Sequence, residues 1–259
     1  MDELNRNDRN FFHGNNQNQM NQERPVVNTA SVSIAKVFLY MFGLILITAV
    51  VAFGVGAVVY YNLINGANVE EFFNTYLIIL VISGIALFID MLVINLVSMK
   101  GKHGILIPGI IYAILVGVLF SLLTIIVDWE IIGAAFGITA LAFGVMALIA
   151  FLSKGNMKPI AIVIVGLFSG IILLTLTNFL ITLITGTSIG VIGWIVSFAI
   201  FALVMFVTIF DLWRMKQICE KGAMSKNLTQ YFAFVMYVDF INIFVRILYY
   251  LIIIFGKRK

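Results

Sequence analysis

Three polar residues interrupt the last long apolar stretch of the chain, Tyr231–Phe255. Asp239, Asn242 and Arg246 are spaced at i, i+3 and i+7, which places all three on one face of a helix. A carboxylate and a guanidinium are costly in hydrocarbon unless they face other helices, water or each other. The other residues here are mostly Phe, Val, Ile, Leu and Tyr. We therefore predict a last helix surrounded by the others, with its polar stripe along a functional path.

Two more acids, Asp90 and Asp211, lie within apolar stretches. Together with Asp239 they are predicted at depths of roughly 10–16 Å from the inner membrane edge, so the three carboxylates can share one layer. Asp211 and Asp239 are on consecutive antiparallel helices. Two carboxylates at close range cannot both ionise cheaply, so the pair is expected to share a proton and to sense pH. Deprotonated, the pair attracts Ca²⁺, but it supplies fewer than the ~6–8 oxygens of a tight site.

A purely structural interpretation of these acids stays open, in which each is hydrogen-bonded to a neighbouring helix. Asp211 can also reach Arg214, three residues later on the same helix. Arg246 lies about 10 Å further along the last helix than the acid of that helix, so we expect it to form a separate outer contact. Glu70 and Glu71 are the acids predicted to reach it.

Composition places the chain among membrane proteins. It has 259 residues, of which 62% are hydrophobic and 11% charged, and its mean hydropathy is +1.10. Soluble domains carry about 25% charged residues. The apolar runs are continuous and do not alternate in polarity, so the sequence predicts an all-α polytopic protein and not a β-barrel. The net charge of +4 comes from basic residues between the apolar runs, so nucleic acid is not an expected partner.

Seven apolar runs have about the 20 residues that a membrane crossing needs. They are predicted at Val37–Tyr61, Tyr76–Val97, Gly104–Val127, Ile131–Leu152, Pro159–Ile181, Ser188–Trp213 and Tyr231–Phe255. Residues 1–35 are rich in asparagine and predict a disordered tail. We therefore expect two regions, a cytoplasmic tail over 1–35 and a seven-helix transmembrane domain over 36–259.

The distribution of Lys and Arg predicts the orientation. Twelve basic residues lie in the N-terminal tail and the even-numbered loops, whereas the other three loops carry no Lys or Arg and together hold four acids. The positive-inside rule then places the N-terminus in the cytoplasm, with the protein most simply in the cell membrane. Seven crossings place the basic end, Lys257 to Lys259, outside. A re-entrant last segment would avoid this, but we favour a full crossing because the run is long enough.

Short glycine patterns predict close helix packing. Gly133 and Gly137 form one small-xxx-small pair, and Gly166 and Gly170 form another.

Enzyme motifs are absent from the sequence. His13 and His103 lie outside the apolar runs, and there is no H-E-x-x-H, no CxxC and no P-loop. Asp211 and Asp239 formally supply the two aspartates of an intramembrane protease, but the flanking glycines expected there are missing. We predict no enzymatic activity, no catalytic residues and no tightly bound cofactor.

Three segments resemble the Bax inhibitor family of membrane proteins. Tyr237-Val-Asp-Phe-Ile-Asn-Ile-Phe244 resembles its last-helix signature, Thr208-Ile-Phe-Asp211 its second aspartate motif, and Gly137–Gly144 its fourth helix. The resemblance implies seven helices with the last enclosed by six. It also implies a pH-sensitive Ca²⁺ leak whose aspartate pair maps onto Asp211 and Asp239. Bacterial relatives are linked to regulation of a membrane protease, which would then be a partner.

One position departs from the family pattern. The family often has a basic residue in the second helix that latches to the aspartate pair, and this run has Asp90 and no Lys or Arg before Lys100. The leading hypothesis is a pH-gated calcium leak, with calcium ions, protons and the lipid bilayer as partners. A proton-coupled transporter and a non-transporting regulator of a membrane protease remain as alternatives.

Overall fold

The computed structural model describes residues 26–65, 68–100, 104–153, 157–185 and 190–255. Within these ranges all regular secondary structure is α-helical, with no β-strand. The helices are α1 (Val26–Asn65), α2 (Val69–Lys100), α3 (Leu106–Ile126), α4 (Trp129–Leu152), α5 (Lys158–Thr185), α6 (Gly190–Glu220) and α7 (Lys226–Phe255). All seven are long and apolar enough to cross a membrane, which confirms the seven predicted spans.

The N-terminal boundary differs from the prediction. α1 begins at Val26, inside the stretch assigned to a disordered tail. Extending an existing helix costs far less than starting one, so the apolar part of α1 can carry ordered turns into the polar residues before it. Residues 1–25 lie outside the described residues, as do Lys257 to Lys259. α7 is a continuous 30-residue helix, which is the length of a full crossing.

The closest helix packing is between α1 and α3, and two glycines permit it. A Cβ atom at Gly117 would lie 2.8 Å from the carbonyl oxygen of Thr48 and 2.7 Å from Cβ of Val51. A Cβ atom at Gly56 would overlap the hydroxyl of Thr124. Only glycine lets the two backbones approach this closely, as is common in membrane helix pairs.

The glycine pairs singled out from sequence do not pack in this way. A Cβ atom at Gly133, Gly137, Gly166 or Gly170 would meet nothing within 4 Å among the described residues. The prediction of close packing at these positions is therefore wrong for the described fold. Glycine is frequent in membrane helices, so its spacing alone does not reveal what faces it.

The last helix lies at the centre of the packing but is not fully enclosed in the described structure. It contacts α1, α4 and α6 extensively and α3 less, whereas α5 packs on α6 and α2 packs on α1 and α3. One face of α7, which includes Asn242, Val245 and Tyr249, is exposed. The predicted enclosure by six helices is thus not found among the described residues, because α2 and α5 pack on other helices and make at most weak contact with α7.

Candidate functional site

Two consecutive helices position the acids. α6 ends at a glycine turn, in which Gly222 has φ +66° and Gly222 and Ala223 donate backbone hydrogen bonds into the last turn of α6. Ser225 then caps α7 by accepting a hydrogen bond from the backbone N–H three residues later, at 3.2 Å. This compact connection makes α6 and α7 antiparallel neighbours and turns Asp211 of α6 toward Asp239 of α7.

Asp211 lies close enough to Asp239 to interact with it electrostatically. Asp239 is only 7% exposed, while Asp211 is half-buried and also feels the positive charge of Arg214. No ion pair within 4.0 Å joins Arg214 to either acid in the part of the chain that the structure describes. The structure therefore brings together the two acids that depth counting had paired.

Thr208 is a member of this site that the sequence reasoning missed. Its side chain is completely buried and hydrogen-bonds the carboxyl group of Asp239. Its hydroxyl also donates to the carbonyl of Val204 at 2.9 Å. The second carboxyl oxygen of Asp239, Oδ2, is buried without a hydrogen-bond partner among the described residues. Thr208 precedes Asp211 by three residues, and this i, i+3 spacing is the signal that would have placed both on one face.

Asp90 lies apart from the pair. It is buried on α2, and the group whose ionisation it influences is Tyr112 of α3. The described residues contain no cluster of three or more acids, histidines or cysteines that could hold a metal ion. Asp90 therefore does not form a three-carboxylate metal cluster with the other two acids, and their shared depth stays a prediction. The ring of Tyr112 packs edge-on against Phe234 and Tyr237 of α7, with ring centres 5.1 and 6.2 Å apart, so Tyr112 links the surroundings of Asp90 to the last helix.

Arg246 lines a cavity of about 440 Å³ between α6 and α7. Asn242, Val245 and Tyr249 of α7 share its wall with two aliphatic side chains of α6. Within the described ranges, the structure has no ion pair between Arg246 and any acid. The guanidinium and the amide thus face a cavity on the more open side of α7, separate from the acid pair, as the helical spacing had indicated.

Glu70 and Glu71 do not reach Arg246. Both are exposed in the first turn of α2, a helix that packs on α1 and α3. Acids in a first turn are stabilised by the partial positive charge of the helix N-terminus. Asn68 also donates a hydrogen bond to the Glu71 carboxylate at 3.4 Å. The predicted outer ion pair is therefore wrong. The positive-inside rule predicts the side of the membrane on which these acids lie, but not which helix they lie beside.

Thr48 joins the core of α7 to α1 and α3. Its hydroxyl lies 2.7 Å from the hydroxyl of Tyr237 and 3.1 Å from the carbonyl oxygens of Leu44 and Ala113. Tyr237 is completely buried and precedes Asp239 by two residues. A threonine and a tyrosine contribute little to hydropathy, so no sequence signal indicated this contact.

Lys216 ties α6 to the end of α4. Its Nζ atom donates to the carbonyl oxygens of Phe151 at 2.7 Å and Ser153 at 3.2 Å, and it lies 3.7 Å from a carboxylate oxygen of Glu220. A cation is favourable at the C-terminal end of a helix, where carbonyl groups lack partners. This contact fixes α6 at a position five residues after Asp211.

The site thus has two neighbouring carboxyl groups within the membrane-spanning part of the chain, one of them buried, and a separate cationic cavity beside the last helix. Two carboxyl groups that repel each other can exchange a proton and can attract a passing cation. The geometry offers no third acid for a tight metal site among the described residues.

The chain also matches a known family over most of its length. The family described as "Inhibitor of apoptosis-promoting Bax1" matches residues 30–257. No curated protein and no solved structure matches the chain significantly. The match covers α1 from Ala30 onward, the other six helices completely, and both aspartates. The chain therefore belongs to the Bax inhibitor family and is a multi-pass integral membrane protein.

Proposed function

We propose that this protein is a pH-sensitive calcium leak channel in which Asp211 and Asp239 form the gate. One observation carries the proposal: Asp239 is buried in a membrane-spanning helix with a second carboxyl group, that of Asp211, within electrostatic range. Ionisable groups inside transmembrane segments are expensive and mark ion paths or proton relays. The proposal assigns no catalytic reaction and no tightly bound cofactor.

The pH sensitivity follows from the neighbourhood of Asp239. Because two adjacent carboxylates repel each other, the pair retains a proton that an isolated acid would lose. Thr208 can serve either protonation state, because its hydroxyl can donate its hydrogen to the carboxylate or to the Val204 carbonyl and can also accept a hydrogen bond from the protonated acid. Loss of the proton creates repulsion between α6 and α7 and a negative site at the same time.

Calcium is the proposed permeant ion because the deprotonated pair offers only hard oxygen ligands. Two carboxylates fall short of the ~6–8 oxygens that Ca²⁺ prefers, so water must supply the others. A partly hydrated ion is held weakly, and weak binding permits passage. This is why the site suits a leak better than storage.

The test is calcium flux through the purified protein in proteoliposomes, measured across roughly pH 5–8, where a shared carboxyl proton is expected to titrate. Asp239→Asn and Asp211→Asn should each remove the pH dependence of the flux. Glu130→Gln is the matched control, because it removes one carboxylate that is exposed at the start of α4. Unchanged flux and unchanged pH dependence in both aspartate variants would overturn the proposal.

The cavity around Arg246 favours one second candidate, proton-coupled transport of a small anion. A guanidinium that faces a cavity of about 440 Å³ without a protein ion-pair partner among the described residues can bind an anionic solute. Saturable anion uptake driven by a pH gradient, and lost in Arg246→Gln, would support it. Calcium flux that persists in Arg246→Gln but not in Asp239→Asn would favour the leak.

A further inference from the structure

A second cavity, of about 380 Å³, lies on a different face of α7 from Arg246. Its walls come from α1, α3, α4 and α7, and Phe240, Ile241, Phe244 and Leu248 form the α7 wall. It lies toward the α3–α4 connection, which is the predicted outer half. The volume is within the ~300–1,000 Å³ range of small-molecule sites.

The wall of this cavity offers a bound molecule almost no hydrogen-bonding partners. Thr48 and Thr124 carry the two side-chain hydroxyl groups of the wall. Thr48 bonds Tyr237 and backbone carbonyls, and Thr124 donates to the carbonyl of Ser121 at 2.7 Å. Cavities lined by apolar side chains do not retain water stably. The occupant of this cavity is therefore apolar.

The cavity opens to the lipid-facing surface of the bundle. Phe53 and Phe136 line it and are substantially exposed. Trp129, at the end of the cavity, is 76% exposed, and tryptophan at a helix end typically lies at the headgroup level of a bilayer. A lipid chain can enter from the side without leaving the hydrocarbon layer. An empty groove would lose the dispersion contacts that such a chain supplies.

We propose that this groove binds one acyl chain of a membrane phospholipid. The headgroup lies at the level of Trp129, and the chain runs past Gly133 to the wall formed by Phe240 and Phe244. Because Phe240 follows Asp239 directly, the bound chain packs against the turn of α7 that carries the buried acid. The site is independent of what the acid pair conducts.

Gly133 makes the groove testable. It lines the cavity, and a Cβ atom there would meet nothing within 4 Å, so a larger side chain would fill the groove without displacing a helix. Gly137, one turn further along α4, is equally unobstructed but does not line the groove. Gly133→Leu and Gly137→Leu therefore add the same side chain to the same helix and differ only in whether they occupy the groove.

The experiment uses a phospholipid with a photoreactive diazirine in its acyl chain, incorporated into bilayers with the full-length protein. Adducts are located by peptide mass spectrometry. Phe240, Phe244 and Leu248 are only 5%, 7% and 2% exposed, so lipid on the outer surface cannot label them. We expect adducts on these residues in the wild-type protein and in Gly137→Leu, and their loss in Gly133→Leu.

A second measurement needs no variant. Labelling of the α7 wall should saturate as the fraction of probe lipid rises, because one chain fits. Labelling of α5, whose most apolar part has no buried residue, should rise in proportion. Absence of wild-type adducts on the α7 wall, equal labelling in the two variants, or crosslinks to a second copy of the chain in place of lipid would overturn the proposal.

Discussion

The two sides of the last helix differ in how they are packed. One side, with Tyr237, Phe240 and Phe244, is buried against α1, α3 and α4 through aromatic contacts and the Thr48 hydrogen bond. The other side faces α6 and then opens, so that Asn242 is exposed and Arg246 lines a cavity.

This difference indicates where the molecule can move. Regions with few buried apolar contacts open at the lowest free-energy cost. α5 contacts mainly α6, and the most apolar parts of α5 and α6 contain no buried residue. The charged groups of α7 thus lie on the side where a helix can shift most easily, while the packed side keeps α7 in place.

The largest effect is expected on the packed side. Gly117→Leu would force a side chain into the carbonyl of Thr48 and the side chain of Val51, so α1 and α3 must separate. Overpacking of this kind costs about 1–3 kcal/mol or more, and here the obstacle includes backbone. The melting temperature in detergent should fall sharply. Gly54→Leu on α1 is the control, since a Cβ atom there meets nothing within 4 Å; equal melting of the two variants would contradict the packing described.

The next effect is expected at the acid pair and depends on pH. In the folded protein Asp239 and Asp211 repel each other when both are ionised, whereas in the unfolded chain they are separated. Raising the pH should therefore destabilise the wild type relative to Asp239→Asn. The difference should be small at acidic pH and grow toward about 1–3 kcal/mol, the typical cost of an unsatisfied buried polar group, at alkaline pH.

Thermal unfolding at several pH values measures this difference. Glu130→Gln, in the first turn of α4, is the control, because it removes an exposed carboxylate on a helix that carries neither acid of the pair. A stability gap between wild type and Asp239→Asn that stays constant with pH would show that the two acids do not repel each other in the folded protein.

The smallest effect is expected from a single hydroxyl on the packed side. Tyr237→Phe removes the 2.7 Å contact with Thr48 but keeps the buried ring, so a loss of about 0.5–1.5 kcal/mol is expected. Tyr249→Phe, on the exposed side, should change stability very little. A double-mutant cycle with Thr48→Val measures the pair directly, and additive effects would argue against the hydrogen bond.

Much of the fold was predictable because the bilayer imposes length and composition on each span. The seven runs, the order of the helices and the neighbourhood of Asp211 and Asp239 all follow from apolar length and from depth along antiparallel helices. The acid pair could be paired from sequence because a short connection forces α6 and α7 to be adjacent.

Lateral position was not predictable, since lipid and protein interior are equally apolar. Nothing in α5 shows that it lies outermost, and nothing in Asp90 shows that its neighbour is Tyr112. For the same reason, the sequence predicted a helix contact at Gly133, which borders an open groove. It did not indicate Gly117, where the backbones of α1 and α3 approach most closely. Hydropathy predicts how deep a residue lies in the membrane, but not which side of its helix the residue occupies.

Lys216 has a mechanical consequence. It anchors α6 to the end of α4, with Asp211 about 7.5 Å and Gly190 about 39 Å from it along the helix axis. A tilt of α6 about this anchor would displace its far end roughly five times as far as the acid. A large movement of the lipid-facing α5–α6 hairpin would therefore change the spacing between the two carboxyl groups by only a small amount.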